Sequence, residues 1–101
     1  MAITLTEAEQ QAFAFLMQDL EIFPDCQQWF AILSSRFIKD WYVVEIGVVG
    51  LPDKWIVQVY DSGECDPNYT FSSPLFVEDT VALPQQIADL LTLERRTGGL
   101  R

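Results

Sequence analysis

Histidine is absent from this chain of 101 residues. Because histidine is the commonest general base in enzymes, its absence removes the Ser–His and Cys–His nucleophile pairs. It also removes most zinc sites, and the two cysteines, Cys26 and Cys65, lie too far apart for a CxxC ligand pair. No glycine-rich phosphate-binding loop occurs in the sequence either. We therefore expect no cofactor, and we expect a protein that is not an enzyme.

Basic residues are scarce: six lysines and arginines stand against fifteen acids, which gives a formal net charge of −9. Since affinity for nucleic acids and anionic membranes comes largely from basic side chains, we expect neither as a partner. The first 35 residues contain no base and five acids, which are Glu7, Glu9, Asp19, Glu21 and Asp25. This concentration of acids favours a protein partner, for example one with a basic or extended segment, although such acidity also simply keeps a protein soluble.

Long apolar runs are missing as well. The longest strand-like run, residues 41–49, is interrupted by Glu45 and Gly47 and falls short of the roughly 18–20 apolar residues of a transmembrane helix. The opening MAITLTEAEQ lacks the basic region and apolar stretch of a secretory signal. Two cysteines fit reduced thiols better than a disulfide scaffold. We therefore predict a cytoplasmic protein that folds as a single domain over residues 1–101.

Two helices are predicted in the first part of the chain. The segment TEAE offers a capping box between Thr6 and Glu9, so the first helix should begin at Thr6 and continue until Pro24 breaks it. Asp25 is a suitable N-cap for a second helix, and an apolar stripe at helical spacing carries that helix to Phe37.

Strands are predicted where β-branched and aromatic residues alternate. WYVVEIGVV and KWIVQVYD should form an antiparallel hairpin around the turn GLPD, and PLFVED within residues 71–79 predicts a shorter third strand. A last helix should begin near Pro84 and carry Arg95 and Arg96 in its final turn. The predicted fold class is α+β, with helices packed on a small antiparallel three-stranded sheet in the order ααβββα.

Acids crowd the stretch YDSGECDPNYT, residues 60–70. Asp61, Glu64 and Asp66 offer oxygen ligands of the kind that calcium takes, which makes them weak candidates for a metal site. An EF-hand loop beginning at Asp61 would need glycine and glutamate where the chain has Asp66 and Ser72. Asp-Ser-Gly and Asp-Pro-Asn are common turn sequences, so we interpret the stretch as a connecting loop without a metal.

Glu45 is a further candidate for carboxylate chemistry. It lies in the middle of a predicted strand, where partial burial would raise its pKa. The alternative to such a perturbed carboxylate is a Glu45 side chain that pairs with Lys54 or Arg36. An enzyme that uses carboxylates or a metal in the 61–68 loop is therefore the alternative function.

The first helix carries a second apolar stripe, Ala8, Phe15 and Ile22, on roughly the face opposite its main one. Such a stripe, bounded by acids, would suit a partner or a second copy of the chain in a homodimer. We expect Trp29 and Trp55 in the core and the tyrosines at the surface. The predicted partner-binding residues are Phe15, Ile22, Asp19, Tyr42, Tyr60 and Tyr69.

The function predicted from these features is that of a small acidic cytosolic protein-interaction module, an adaptor or assembly factor. It would bind another protein through the apolar and acidic helix face or through a sheet edge. A further alternative is an acidic mimic that occupies and inhibits a nucleic-acid-binding protein.

Overall fold

The computed structural model describes residues 3–73 and 83–97. The elements in chain order are α1 (Leu5–Asp19), α2 (Pro24–Gln27), β1 (Phe30–Ile38), β2 (Trp41–Val48), β3 (Lys54–Tyr60), β4 (Thr70–Ser72) and α3 (Gln85–Thr97). The strands form one antiparallel sheet in the order β1-β2-β3-β4. The predicted α+β class is confirmed, whereas three strands in the order ααβββα is wrong in detail, because the sheet has four described strands. No helix in the described part of the chain is long and apolar enough to cross a membrane.

The extra strand is β1, which replaces most of the predicted second helix. The helix α2 spans only Pro24–Gln27, and β1 then pairs with β2 in a register that sets Phe30 opposite Val48 and Ile38 opposite Trp41. Periodicity alone could not separate the two structures, since this apolar segment fits both a helix and a strand. Pairing with β1 satisfies the backbone groups along one side of β2, a gain that a helix at this place would not provide.

A β-bulge interrupts β1 at Leu33, where the register shifts between Ile32 and Ser34. The Leu33 side chain lies over Gly47 of β2 on the outer face of the sheet. A Cβ atom at Gly47 would lie 2.7 Å from the backbone oxygen of Asp53 and 2.8 Å from Cδ1 of Leu33. Glycine is therefore required at this position by the close approach of the neighbouring chain.

Helix α1 begins earlier than predicted. Thr4 is the N-cap, and it exchanges the two bonds of a capping box with Glu7, at 3.0 and 3.1 Å. The predicted box between Thr6 and Glu9 is wrong, since the chain is already fixed at Ile3, whose N–H donates to the Asp61 carbonyl at 3.1 Å.

The end of α1 also differs from the prediction, because the helix closes at Asp19 and not at Pro24. Glu21 adopts a left-handed conformation with φ of 54°. The Ile22 amide donates to the Met17 carbonyl at 2.9 Å, and the Glu21 amide donates to the Gln18 carbonyl at 3.1 Å. These two bonds form a Schellman motif, which normally favours glycine at the left-handed position.

The core lies on one face of the sheet, beneath α1 and α3. Alternate residues of the central strands β2 and β3 point into it, and the small side chains of Ala8 and Ala12 let α1 approach the sheet closely. From α3, Ile87 and Leu91 complete this core. The main buried side chains of the two central strands are Tyr42, Val44, Ile46, Val48, Trp55, Val57 and Val59.

Helix α3 agrees with the prediction of a helix near Pro84, and buried polar contacts hold it to the sheet. Trp55 Nε1 donates to Glu94 at 3.3 Å, and Arg95 donates to both carboxylate oxygens of Asp53, at 2.9 and 2.6 Å. The third predicted strand, PLFVED, lies outside the described residues, and the described strand β4 ends before it at Ser72.

Candidate functional site: a groove between helix α1 and strand β1

A groove of about 590 Å³ follows the flank of α1 beside strand β1. The helix and the strand run in opposite directions, since Ser35 near the end of β1 donates to Glu9 near the start of α1. Gln27 also lines the groove, and its Nε2 donates to the Ile22 carbonyl at 3.3 Å. The lining residues are Gln10, Phe13, Ala14, Met17, Gln18, Glu21, Ile22, Gln27 and Ile32. Most of this lining is apolar or uncharged, so the groove fits an apolar side chain.

Strand β1 is an edge strand of the sheet. Among residues 3–73 and 83–97, β1 pairs only with β2, and no strand pairs with its other side. An edge of this kind offers backbone N–H and carbonyl groups to an incoming extended segment. Because the groove lies along this edge at Ile32, a segment added to the sheet would place side chains against α1.

The C-terminal end of α1 is negatively charged. A second cavity of about 410 Å³ is lined by Phe15, Gln18, Asp19 and Glu21, and it adjoins the groove because Gln18 and Glu21 line both. The last turn of α1 contains no base that would offset the negative end of the helix dipole. Within the described part of the chain, no base pairs with the Glu21 carboxylate.

Three of the predicted partner-binding residues lie together beside this second cavity. The rings of Phe15 and Tyr69 meet edge to face with centroids 6.3 Å apart, and the Tyr69 hydroxyl donates to Asp19 at 2.7 Å. Asp19 and Tyr69 are 50 positions apart in the chain, so no local pattern in the sequence could bring them together. The contact ties the segment before β4 to α1 and fixes the half-buried ring of Phe15 beside the cavity.

Two other predicted contact residues are buried, so their expected exposure is wrong. Ile22 is 6% exposed, because the Schellman turn folds it back against α1 and the core. Tyr42 is 7% exposed; its hydroxyl donates to the Ile3 carbonyl and its ring packs on Phe37. Since Ala8 is fully buried too, the stripe of Ala8, Phe15 and Ile22 does not form an exposed surface for a partner or a homodimer.

Tyr60 lies away from the groove, on the outer face of the sheet, and is 41% exposed. Its hydroxyl donates to Asp66 Oδ2 at 3.0 Å, and this bond raises the pKa of Tyr60. Of the two tryptophans expected inside, Trp55 is fully buried and Trp29 is half-buried.

The 61–68 loop is held by bonds typical of turns. Asp66 Oδ1 accepts from the Asn68 amide at 2.8 Å while its other oxygen accepts from Tyr60, and these bonds hold the pKa of Asp66 below its usual value. Gly63 has φ of 94°, and its N–H donates to the Tyr60 carbonyl at 2.8 Å. In the described residues, Asp61, Glu64 and Asp66 do not form a group able to hold a metal ion, and no other His, Cys, Asp or Glu cluster does.

Glu45 lies on the outer face of the sheet between two bases. Lys54 Nζ is 2.7 Å from one carboxylate oxygen, and Arg36 is 3.7 Å from the other. The hydrogen bond from Lys54 lowers the pKa of Glu45 more than partial burial raises it. The expected rise in pKa is therefore wrong, and the alternative of pairing with Lys54 and Arg36 is confirmed.

The pair of Asp53 and Arg95 was not predicted from the sequence, where Asp53 is part of a turn and Arg95 lies at the end of a helix. Both cysteines are free thiols, Cys26 buried and Cys65 half-buried. Burial raises the pKa of the Cys65 thiol, which makes it a poor nucleophile.

No protein-family model, no curated protein and no solved structure is significantly similar to this chain. A functional interpretation therefore depends on the groove, the edge strand and the charges around them.

Proposed function

We propose that the protein is a small interaction module, an adaptor or assembly factor, that binds a segment of another protein in the groove between α1 and β1. The observation that carries this proposal is the position of an apolar groove directly beside a strand edge that has no partner strand in the described residues. A cytoplasmic location belongs to the same proposal and is supported by the free thiols of Cys26 and Cys65.

The physical basis is addition of a strand to the sheet. Main-chain hydrogen bonds to an edge strand supply affinity that does not depend on sequence, while alternate side chains enter pockets and supply specificity. The bulge at Leu33 interrupts the edge, which discourages pairing along the whole of β1. The partner segment should contact the part of β1 that precedes the bulge and ends at Ile32, because Ile32 lines the groove.

The alternative of an enzyme using the 61–68 loop has less support. Asp66 already uses both carboxylate oxygens within the loop, and Asp61 and Glu64 are exposed. An acidic mimic of nucleic acid remains compatible with the net charge, but no feature of the groove favours it.

A phage-displayed library of random 12-residue peptides, selected on the intact protein, tests the proposal. Ala14→Trp places a bulky side chain in the groove from an exposed helix position, and Gln11→Trp makes the same kind of change at an exposed position of α1 outside the groove. We expect Ala14→Trp to weaken the selected peptides by about tenfold or more, and Gln11→Trp to leave their affinity unchanged. Failure to select any peptide, or equal binding by both variants, would overturn the proposal.

A further inference from the structure

We infer that the segment bound in the groove is extended and carries a lysine or arginine that lies against Glu21 and Asp19 at the end of α1. This inference depends on the proposed function and adds the chemistry of the partner to it.

Charge complementarity is the first reason. Asp19 and Glu21 contribute negative potential beside the groove at the C-terminal end of α1, and none of the described residues that line the groove and the adjoining cavity is a base. An acidic or neutral segment would lack this attraction.

The backbone of Glu21 is the second reason. A non-glycine residue at φ of 54° is strained, and glycine would be more stable at this position of a Schellman motif. The strained residue carries a charged side chain and lines both cavities. A glutamate at this position therefore keeps a carboxylate beside the groove at a cost in backbone stability.

Helix and strand dimensions set the spacing within the segment. From Phe13, which lines the groove, to the end of α1 near Glu21 is about 10–12 Å along the helix axis, given the rise per residue of an α-helix. Side chains on one face of a strand repeat about every 6.6–6.8 Å. We therefore expect the basic residue about two to four positions from the apolar residue that fills the groove.

Peptides selected from the library provide the test, with three variants of the intact protein. Glu21→Gln removes the charge and keeps the side-chain size, and Glu21→Gly removes both the charge and the backbone strain. Lys39→Gly is the matched control, since Lys39 is the other non-glycine residue with positive φ among residues 3–73 and 83–97, at 56°, and lies in the turn between β1 and β2.

We expect the selected peptides to contain the apolar and basic pair, and both Glu21 variants to weaken their binding about two- to fivefold in low salt. The loss should shrink in 0.5 M salt, where exposed charges are screened. Glu21→Gly and Lys39→Gly should both raise the melting temperature, but Lys39→Gly should leave peptide affinity unchanged.

The outcomes separate the inference from the function on which it depends. The inference is wrong if the selected peptides lack a basic residue and bind the Glu21 variants as tightly as the intact protein. If those peptides still bind Ala14→Trp more weakly, the proposed function of the groove is nevertheless supported. Peptides that ignore Ala14→Trp would overturn both.

Discussion

Replacing Arg95 of α3 with methionine should strongly lower the free energy of unfolding, because the buried carboxylate of Asp53 then has no cationic partner. Asp53 is 0% exposed, and Arg95 contacts both of its carboxylate oxygens while Ser73 donates to one of them. Breaking a fully buried ion pair costs about 3–5 kcal/mol. The Arg95 side chain is 22% exposed, so water reaches part of the site and we expect a loss of about 2–3 kcal/mol at pH 7.

The measurement is urea unfolding followed by tryptophan fluorescence, with the slope of the transition checked for constancy. Arg36→Met is the matched control. Arg36 is 60% exposed and lies 3.7 Å from Glu45, and an exposed pair of this kind contributes about 0–1 kcal/mol. A second variant, Asp53→Asn combined with Arg95→Met, removes the isolated charge and should recover part of the loss.

The pH dependence gives an independent check. Burial by itself would raise the pKa of Asp53, but the bonds from Arg95 and Ser73 outweigh it and lower the pKa. In the intact protein, the contribution of Asp53 to stability is therefore present above its unfolded pKa of about 3.9 and is lost as the pH falls through the folded value. Without Arg95, burial dominates and raises the pKa, so the penalty is largest at neutral pH and shrinks on acidification.

A loss of stability for Arg95→Met no larger than that for Arg36→Met at pH 7 would contradict a stabilising role of the buried pair of Asp53 and Arg95. A difference in unfolding free energy between Arg95→Met and the intact protein that widens between pH 7 and pH 4 would contradict it as well.

Two further substitutions test local features of the fold. Gly47→Ala should lower the free energy of unfolding by about 1–3 kcal/mol, because the added Cβ would meet the backbone oxygen of Asp53. The Leu33 side chain, which the Cβ would also meet, can move aside, but the backbone of Asp53 cannot. An unchanged or higher free energy of unfolding in urea would contradict this prediction. Thr4→Ala should lower the free energy of unfolding by about 1 kcal/mol, because the capping box with Glu7 is lost. Thr6→Ala, at an exposed position inside the helix, should lower it little. Equal losses for the two variants would support the capping box between Thr6 and Glu9 instead.

The fold was predictable from sequence where a local pattern matched the final environment. The hairpin of β2 and β3 and the helix beginning near Pro84 are examples, since alternation of apolar residues and a proline at the helix start both act over a few residues. Strand β1 was missed because Phe30 and Phe37 fit a helical stripe equally well, and only pairing with β2 decides between the two structures.

The candidate site was predictable only in part. The sequence indicated an acidic, apolar helix and a free sheet edge, and both the exposed Asp19 and the half-buried Phe15 lie at the site. Tyr69 could not be placed beside them from sequence, because the contact depends on tertiary packing. The predicted exposure of Ile22 is wrong because the left-handed backbone of Glu21 turns Ile22 toward the core. Such a backbone conformation is expected from sequence mainly at glycine or asparagine, so a glutamate gave no sign of it.

The order of the strands in the sheet has a consequence for how the protein folds. Because β1, β2, β3 and β4 neighbour one another in chain order, each pairing closes a short loop, which favours rapid assembly of the sheet. Helix α3 packs over Trp55, which lies in β3, so its contacts require a sheet that has already formed around β3. We expect α3 to dock late in folding, so Leu91→Ala should raise the unfolding rate more than it lowers the folding rate in stopped-flow measurements. A lower folding rate with an unchanged unfolding rate would instead show that α3 is part of the folding nucleus.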